Sequence, residues 1–179
     1  MLGTLTKLSE DKFRKRVELY ALRGDKLLCG IYGADKSIGT FGGGIEKGQT
    51  EVDAGKAEYK EEGGFLVDNI EVLPLKPFKE SWKFPALNAY DKEKQEKYDG
   101  NETTYLVGDL GKRVSKPGDD HIHHMRNIGF RTLDQAIKQQ AKAILESDKG
   151  SYVRVNNRMK VLQILKEKQD SKVDKVASK

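Results

Sequence analysis

The segment from Phe41 to Phe65, FGGGIEKGQTEVDAGKAEYKEEGGF, constrains the fold more than any other stretch of the chain. Three consecutive glycines, Gly42 to Gly44, let the backbone come very close to a neighbouring group, because no Cβ stands in the way. Thr50 is a side-chain cap for a helix, and Gly63-Gly64 supplies its stop, so the segment reads as a glycine-rich loop followed by a helix from Thr50 to Glu62. Projected at about 100° per residue, Val52, Gly55 and Tyr59 form an apolar stripe for packing on a sheet. Glu58, Glu61 and Glu62 fall within about 100° of one another on a neighbouring face. Carboxylates three and four residues apart repel by roughly a few tenths of a kcal/mol per pair. A hard divalent cation removes that penalty and uses the oxygens as ligands. A solvated acidic face with Lys56 and Lys60 as neighbours accounts for the helix taken alone. The preceding glycines, which let a main-chain oxygen or amide face a metal or phosphate, favour the cation.

The rest of the composition sets bounds around this feature. With 179 residues, 36% of them apolar, the chain has material for one domain-sized core. We expect a single domain over residues 1–169 and a basic, flexible tail over residues 170–179. No apolar run approaches the roughly eighteen residues of a membrane span. The N-terminus, MLGTLTKLSEDKFRKR, lacks an uninterrupted hydrophobic segment and a small-residue cleavage site, so the expected location is cytoplasmic. The single cysteine, Cys29, lies among Leu27, Leu28 and Ile31 and reads as a packed strand position. The whole formal charge of +5 resides in residues 154–179, which carry eight Lys or Arg against three acids. Such an end can touch phosphates non-specifically, but no aromatic residue is interleaved there for base stacking, and solubilising tails look the same.

Along the chain, Arg16 to Leu22 and Leu27 to Tyr32 read as a hairpin joined by Arg23-Gly-Asp-Lys26. Phe65 to Leu75 and Thr103 to Leu110 read as further strands, the latter with a β-branched and aromatic bias. A polar excursion from Lys76 to Asn101 separates them. Leu133, Ile137, Ala141 and Leu145, and then Met159, Leu162, Ile164 and Leu165, recur at helical spacing within Leu133 to Ser147 and Asn156 to Lys168; the last ten or so residues are expected to fray.

The glycine run, the helix and its carboxylates together resemble the Nudix box, G-x5-E-x7-R-E-U-x-E-E-x-G-U, with U a bulky apolar residue. Gly43 takes the first glycine, Glu58-Tyr59 the E-U pair, Glu61-Glu62 the E-E pair and Gly64-Phe65 the closing G-U. Two positions depart: Gln49 stands for the box glutamate and Ala57 for the box arginine. The two family side chains commonly pair, and an anion left without its cation costs several kcal/mol, so losing both together is a compensated change. The resemblance covers residues 14–147 and implies a Nudix-type α/β/α sandwich with a mixed curved sheet between helices.

It also implies a metal-dependent pyrophosphohydrolase that cleaves a nucleoside diphosphate linked to another group, such as a nucleotide sugar, a dinucleotide or a dinucleoside polyphosphate. The implied cofactor is Mg²⁺ or Mn²⁺, held by Glu58, Glu61, Glu62 and the Gly43 carbonyl, with Glu58 and Glu61 also in the catalytic set. The family draws a base or extra ligand from a loop before the second helix; here that is Gly111 to His121, with Asp119 and Asp120, and Asp120 is the residue assigned. Pro117-Gly-Asp-Asp also serves as plain turn chemistry. His121, His123 and His124 are poorly spaced for a structural zinc site and read as an exposed strand or a loop near phosphate. Trp82, in Trp82-Lys-Phe-Pro85, is the candidate for stacking on a base, against simple loop packing. A catalytically weak nucleotide-binding module and an RNA 5′-end pyrophosphohydrolase are the alternatives, suggested by Gln49 and Ala57 and by the basic tail respectively. No membrane partner is expected, and a homodimer is left open.

Overall fold

A computed structural model of the chain describes residues 12–82, 89–116, 125–147 and 152–177. Its centre is β1 (Phe13–Arg23), followed by β2 (Lys26–Tyr32) and the short β3 (Ile38–Gly39). β1 turns into β2 through two residues, with Leu22 opposite Leu27 and Gly24 at φ +62°, a conformation that suits a two-residue hairpin and glycine. The hairpin expected from the sequence is therefore present. Next come α1 (Glu51–Glu58), a π-helical turn (Tyr59–Gly63), β4 (Phe65–Val72), β5 (Phe78–Ser81), α2 (Ala89–Lys97), β6 (Gly100–Arg113), β7 (Met125–Thr132), α3 (Leu133–Glu146) and α4 (Tyr152–Ala177).

The sheet runs β3-β2-β1-β6-β4, with β5 on the first part of β6 and β7 along β2. β1 pairs β6 in parallel, Phe13 to Leu22 against Gly100 to Asp109, and the other pairings are antiparallel. Val17 to Ala21 are all buried, as expected of a central strand covered on both faces. One face packs Tyr20, Leu27, Cys29, Ile38 and Tyr105 beneath Leu133, Ala136, Val161, Leu162 and Leu165 of α3 and α4. The other packs Val17, Leu19, Ala21, Phe41, Val67 and Leu106 beneath Ala54 and Tyr59. Helices thus cover both sides of a mixed sheet, the architecture expected. Cys29 is fully buried, and burial pushes its thiol up despite Arg131 beside it. Among the described residues no helix is long and apolar enough to cross a membrane.

Several sequence expectations need correcting. The polar excursion from Lys76 to Asn101 contains β5 and α2; both are short and polar enough to leave little periodic signal. β7 and β3 were not anticipated. β7 leaves Ile128 and Phe130 exposed and carries Asn127 at φ +54°, so its alternation marks no buried face. On α3 the buried set is Leu133, Ala136, Gln140 and Ala143, while Leu145 is 87% exposed. α4 does not end near Lys168 but continues to Ala177, past the boundary expected at residue 169. Its Lys166 pairs with Asp170 one turn on, and Lys168 with Glu71 of β4.

Candidate active site

Beyond Leu19, toward its N-terminus, β1 has an edge that β2 does not occupy. Residues Phe41 to Ile45 fill it as an antiparallel rail: the N–H of Leu19 donates to the Phe41 carbonyl at 3.0 Å, that of Val17 to Gly43 at 2.9 Å, and that of Ile45 to Lys15 at 3.0 Å. The close approach explains the glycines. A Cβ on Gly43 would lie 1.9 Å from a Glu58 carboxylate oxygen, and one on Gly44 would lie 2.1 Å from the Arg14 guanidinium. Carboxylate and guanidinium thus occupy the places where side chains of the rail would stand.

α1 begins as expected. The Thr50 hydroxyl accepts the N–H of Asp53 at 3.1 Å, and Glu51 and Asp53 sit in the first turn, where negative charge is favoured. Gly55 lets the helix lie directly on the sheet, since a Cβ there would come within 2.7 Å of Leu106. The helix does not run regularly to Glu62, however. From Tyr59 it widens into a π turn that closes on Gly64 at φ +74°. Tyr59 anchors the change: fully buried, it packs edge-on against Phe41 with ring centres 4.8 Å apart, and its hydroxyl donates to the Leu28 carbonyl at 3.2 Å.

This turn alters how the three glutamates relate. With i→i+5 bonding each residue advances roughly 80–85° rather than 100°, so Glu62 stays beside Glu58 while Glu61 swings more than about 100° from it. The burial follows the same division, Glu58 and Glu62 half-buried and Glu61 exposed. Glu58 lies against Gly43, and Glu62 accepts the Gly42 N–H at 3.4 Å. Among the described residues no group of three or more His, Cys, Asp or Glu is gathered in a way that could hold a metal ion, so the expected convergence of all three glutamates is not observed. Two carboxylates at a glycine rail remain, hard oxygen donors of the kind that suit a divalent cation. The Gly43 carbonyl, expected to face the metal, accepts the Val17 N–H in the ladder. By strand alternation the carbonyls directed away from β1 are those of Gly42 and Gly44.

The two departures from the box are also visible. Gln49 accepts the N–H of Glu46 at 3.0 Å and stabilises its own turn, a task needing no arginine. Ala57 lines a shallow hollow with Lys56, Lys60, Leu66, Val67 and Asp68. Trp82 follows β5, its N–H donating to the Asp99 carbonyl at 3.0 Å. The strands between are paired Gly44–Arg16, Arg16–Thr103 and Thr103–Phe78, which separates β5 from the rail by three strand spacings, about 14 Å. Asp119, Asp120, His121, His123 and His124 lie outside the described residues. On either side of that segment, Ser115 donates its N–H to the Gly64 carbonyl and Met125 pairs with Tyr32.

The opposite face of β1 carries features the sequence reading did not find. Arg158 of α4 is buried and grips Glu18 with both arms of its guanidinium, Nη2 to Oε1 at 2.9 Å and Nε to Oε2 at 3.3 Å. It also donates to the Ser37 hydroxyl at 2.9 Å and stands over the Tyr32 ring at 4.3 Å. Burial alone would raise the Glu18 pKa; the Arg158 guanidinium outweighs it and holds the carboxyl below its usual range. Arg154 bridges Asp35 and Glu80, each at 3.2 Å. With Lys166 and Lys168 also paired, half of the eight cations attributed to a basic tail are neutralised within the fold.

No family model and no curated protein matches the sequence. Solved structures do. One described as an ADP compounds hydrolase superposes with a TM-score of 0.56 over 91% of this chain and 76% of that one, at 18% identity. A NUDIX hydrolase from Nitrosomonas europaea gives 0.48 at 15% identity, covering 82% and 87% of the two chains. A NUDIX-family hydrolase from Clostridium perfringens gives 0.47 at 12% identity, covering 85% and 97%. The first of these carries the fold assignment: the chain has the mixed α/β architecture of the Nudix type.

Proposed function

We propose that the protein is a Nudix-family hydrolase that cleaves a phosphoanhydride bond in a nucleoside diphosphate linked to a second group. The observation that carries this reading is the pair Glu58 and Glu62 set against Gly43 and Gly42 of the rail along β1. Glu58 and Glu62 would hold Mg²⁺ or Mn²⁺, and a bound divalent ion supplies charge neutralisation of the diphosphate and a more acidic water. The protein's own contribution is positional. The buried Tyr59 anchors the turn that orients Glu62, and the rail fixes the glycines against which both carboxylates rest. Glu61, exposed on the next face, takes an outer role, and Asp120 is the proposed base on the loop between β6 and β7.

The test is phosphate release from a panel of nucleotide sugars, dinucleotides and dinucleoside polyphosphates, with and without Mg²⁺. Metal-dependent turnover of at least one member is expected; tight binding with no turnover of any would overturn the hydrolase in favour of a nucleotide-binding module. That second reading is favoured by Gln49, which is committed to its own turn, and by Ala57. The RNA reading loses support because Arg154, Arg158, Lys166 and Lys168 are already paired.

A further inference from the structure

We propose that Arg14 and Arg16 form a phosphate-binding subsite on the face of the glycine rail opposite the carboxylates, taking a phosphate of the diphosphate substrate. The two residues alternate along β1 with Lys15 and so share one face of the sheet. The Arg14 guanidinium lies where a side chain on Gly44 would be, and Arg16 Nη2 reaches the Gly42 carbonyl at 3.4 Å. Gly42 is also the residue whose N–H points to Glu62, so a single glycine separates the cationic group from the anionic one.

Neither arginine has a carboxylate within salt-bridge distance among the described residues, and Arg16 Nε is buried without a hydrogen-bond partner. Buried guanidinium nitrogens are normally satisfied, so an unpartnered one marks a place for an acceptor. The natural partner would be Glu18, two residues along the same face. Both of its oxygens are taken by Arg158, so Glu18 meets Arg16 only through a longer-range electrostatic contribution and not in an ion pair. Two arginines whose backbone positions lie about 7 Å apart on one strand face repel unless an anion lies between them. Phosphate oxygens match the guanidinium fork in geometry and charge. Arg154, the neighbouring cation on α4, is excluded because Asp35 and Glu80 already hold it.

This inference deepens the proposed hydrolase and rests on it for the identity of the substrate, but phosphate binding tests it separately. The full chain is titrated calorimetrically with inorganic pyrophosphate in the absence of divalent metal, at low and moderate salt. Wild type is expected to bind, more weakly as salt rises. Arg16→Ala is expected to weaken binding at least tenfold, Arg16→Lys severalfold because the fork is lost, and Arg14→Ala severalfold. Lys15→Ala, on the opposite face and paired with Glu102, is expected to change nothing. In turnover assays KM should rise at least tenfold in Arg16→Ala while kcat stays within threefold, as when ground-state binding is removed. No pyrophosphate binding by wild type, or equal binding by both Arg16 variants and Arg14→Ala, overturns the subsite. Arginine-dependent binding with no turnover on any nucleotide leaves the subsite standing and removes the hydrolase; turnover with KM unchanged in the Arg16 variants does the reverse.

Discussion

Glu18 and Glu62 are carboxylates on opposite sides of one stretch of β1 and its rail, and the fold treats them differently. Glu18 is almost fully enclosed and receives a two-armed guanidinium, a hydroxyl and an electrostatic contribution from Arg16. Glu62 is half-buried, and the backbone offers it the N–H of Gly42 at the long end of hydrogen-bond range. An enclosed charge must be compensated within the protein, whereas Glu62 stands at the glycine edge, with contacts beyond the Gly42 N–H. On the α4 side, Glu18 and Arg158 therefore serve to fix a helix, and the glycine edge, reached from both faces of the rail, is the place to look for chemistry.

Substitutions can break this contrast. The largest effect is expected on hydrolysis: Glu58→Gln and Glu62→Gln should each lower kcat/KM by about a thousandfold, about 4 kcal/mol of transition-state stabilisation, with melting temperatures close to wild type. A collapsed thermal transition would make them structural and erase the distinction. Arg158→Met should do the opposite, costing about 3–5 kcal/mol in urea unfolding because Glu18 is left buried without its cation. The pH dependence supplies the sign. Glu18 has a folded pKa held below its ordinary 4.5, so the stability it contributes is complete above that value and is lost as pH falls through the folded value. Arg158→Met should remove this part of the acid sensitivity, measured as unfolding free energy between pH 7 and 3.

Smaller effects sharpen the account of the site. Gly43→Ala places a methyl on the Glu58 carboxylate and should reduce turnover by about a hundredfold, about 2.7 kcal/mol, while leaving the core packing and melting temperature nearly unchanged. Glu61→Gln should reduce turnover less than about tenfold, because the π turn carries Glu61 away from Glu58. A loss equal to that of Glu62→Gln would restore a three-carboxylate site.

How much of this was legible in the sequence depended on the range of the interaction. The hairpin is written in Gly24 and the start of α1 in Thr50, both through local geometry. The mixed α/β architecture followed from the box resemblance and the order of elements. The π turn was not legible, since the choice to widen at Tyr59 comes from an aromatic contact with Phe41 and a hydroxyl bound to Leu28, both remote in sequence. Glu18 and Arg158 are 140 residues apart, and Arg158 looked like one more charge in a basic end. Of the candidate site, the placement of Glu58 and Glu62 beside the glycine rail could be read from the spacing. Arg14 and Arg16 carry a period-two signal of their own, alternating on the strand that the triple glycine lines.

The central claim is that Glu58 and Glu62 together grip a divalent cation at the glycine edge. Mn²⁺ binding followed by electron paramagnetic resonance on wild type, on Glu61→Gln and on the Glu58→Gln/Glu62→Gln double variant tests it most directly. The account predicts uptake by wild type and by Glu61→Gln, and none by the double variant despite an intact thermal transition. Equal uptake by all three proteins would contradict it.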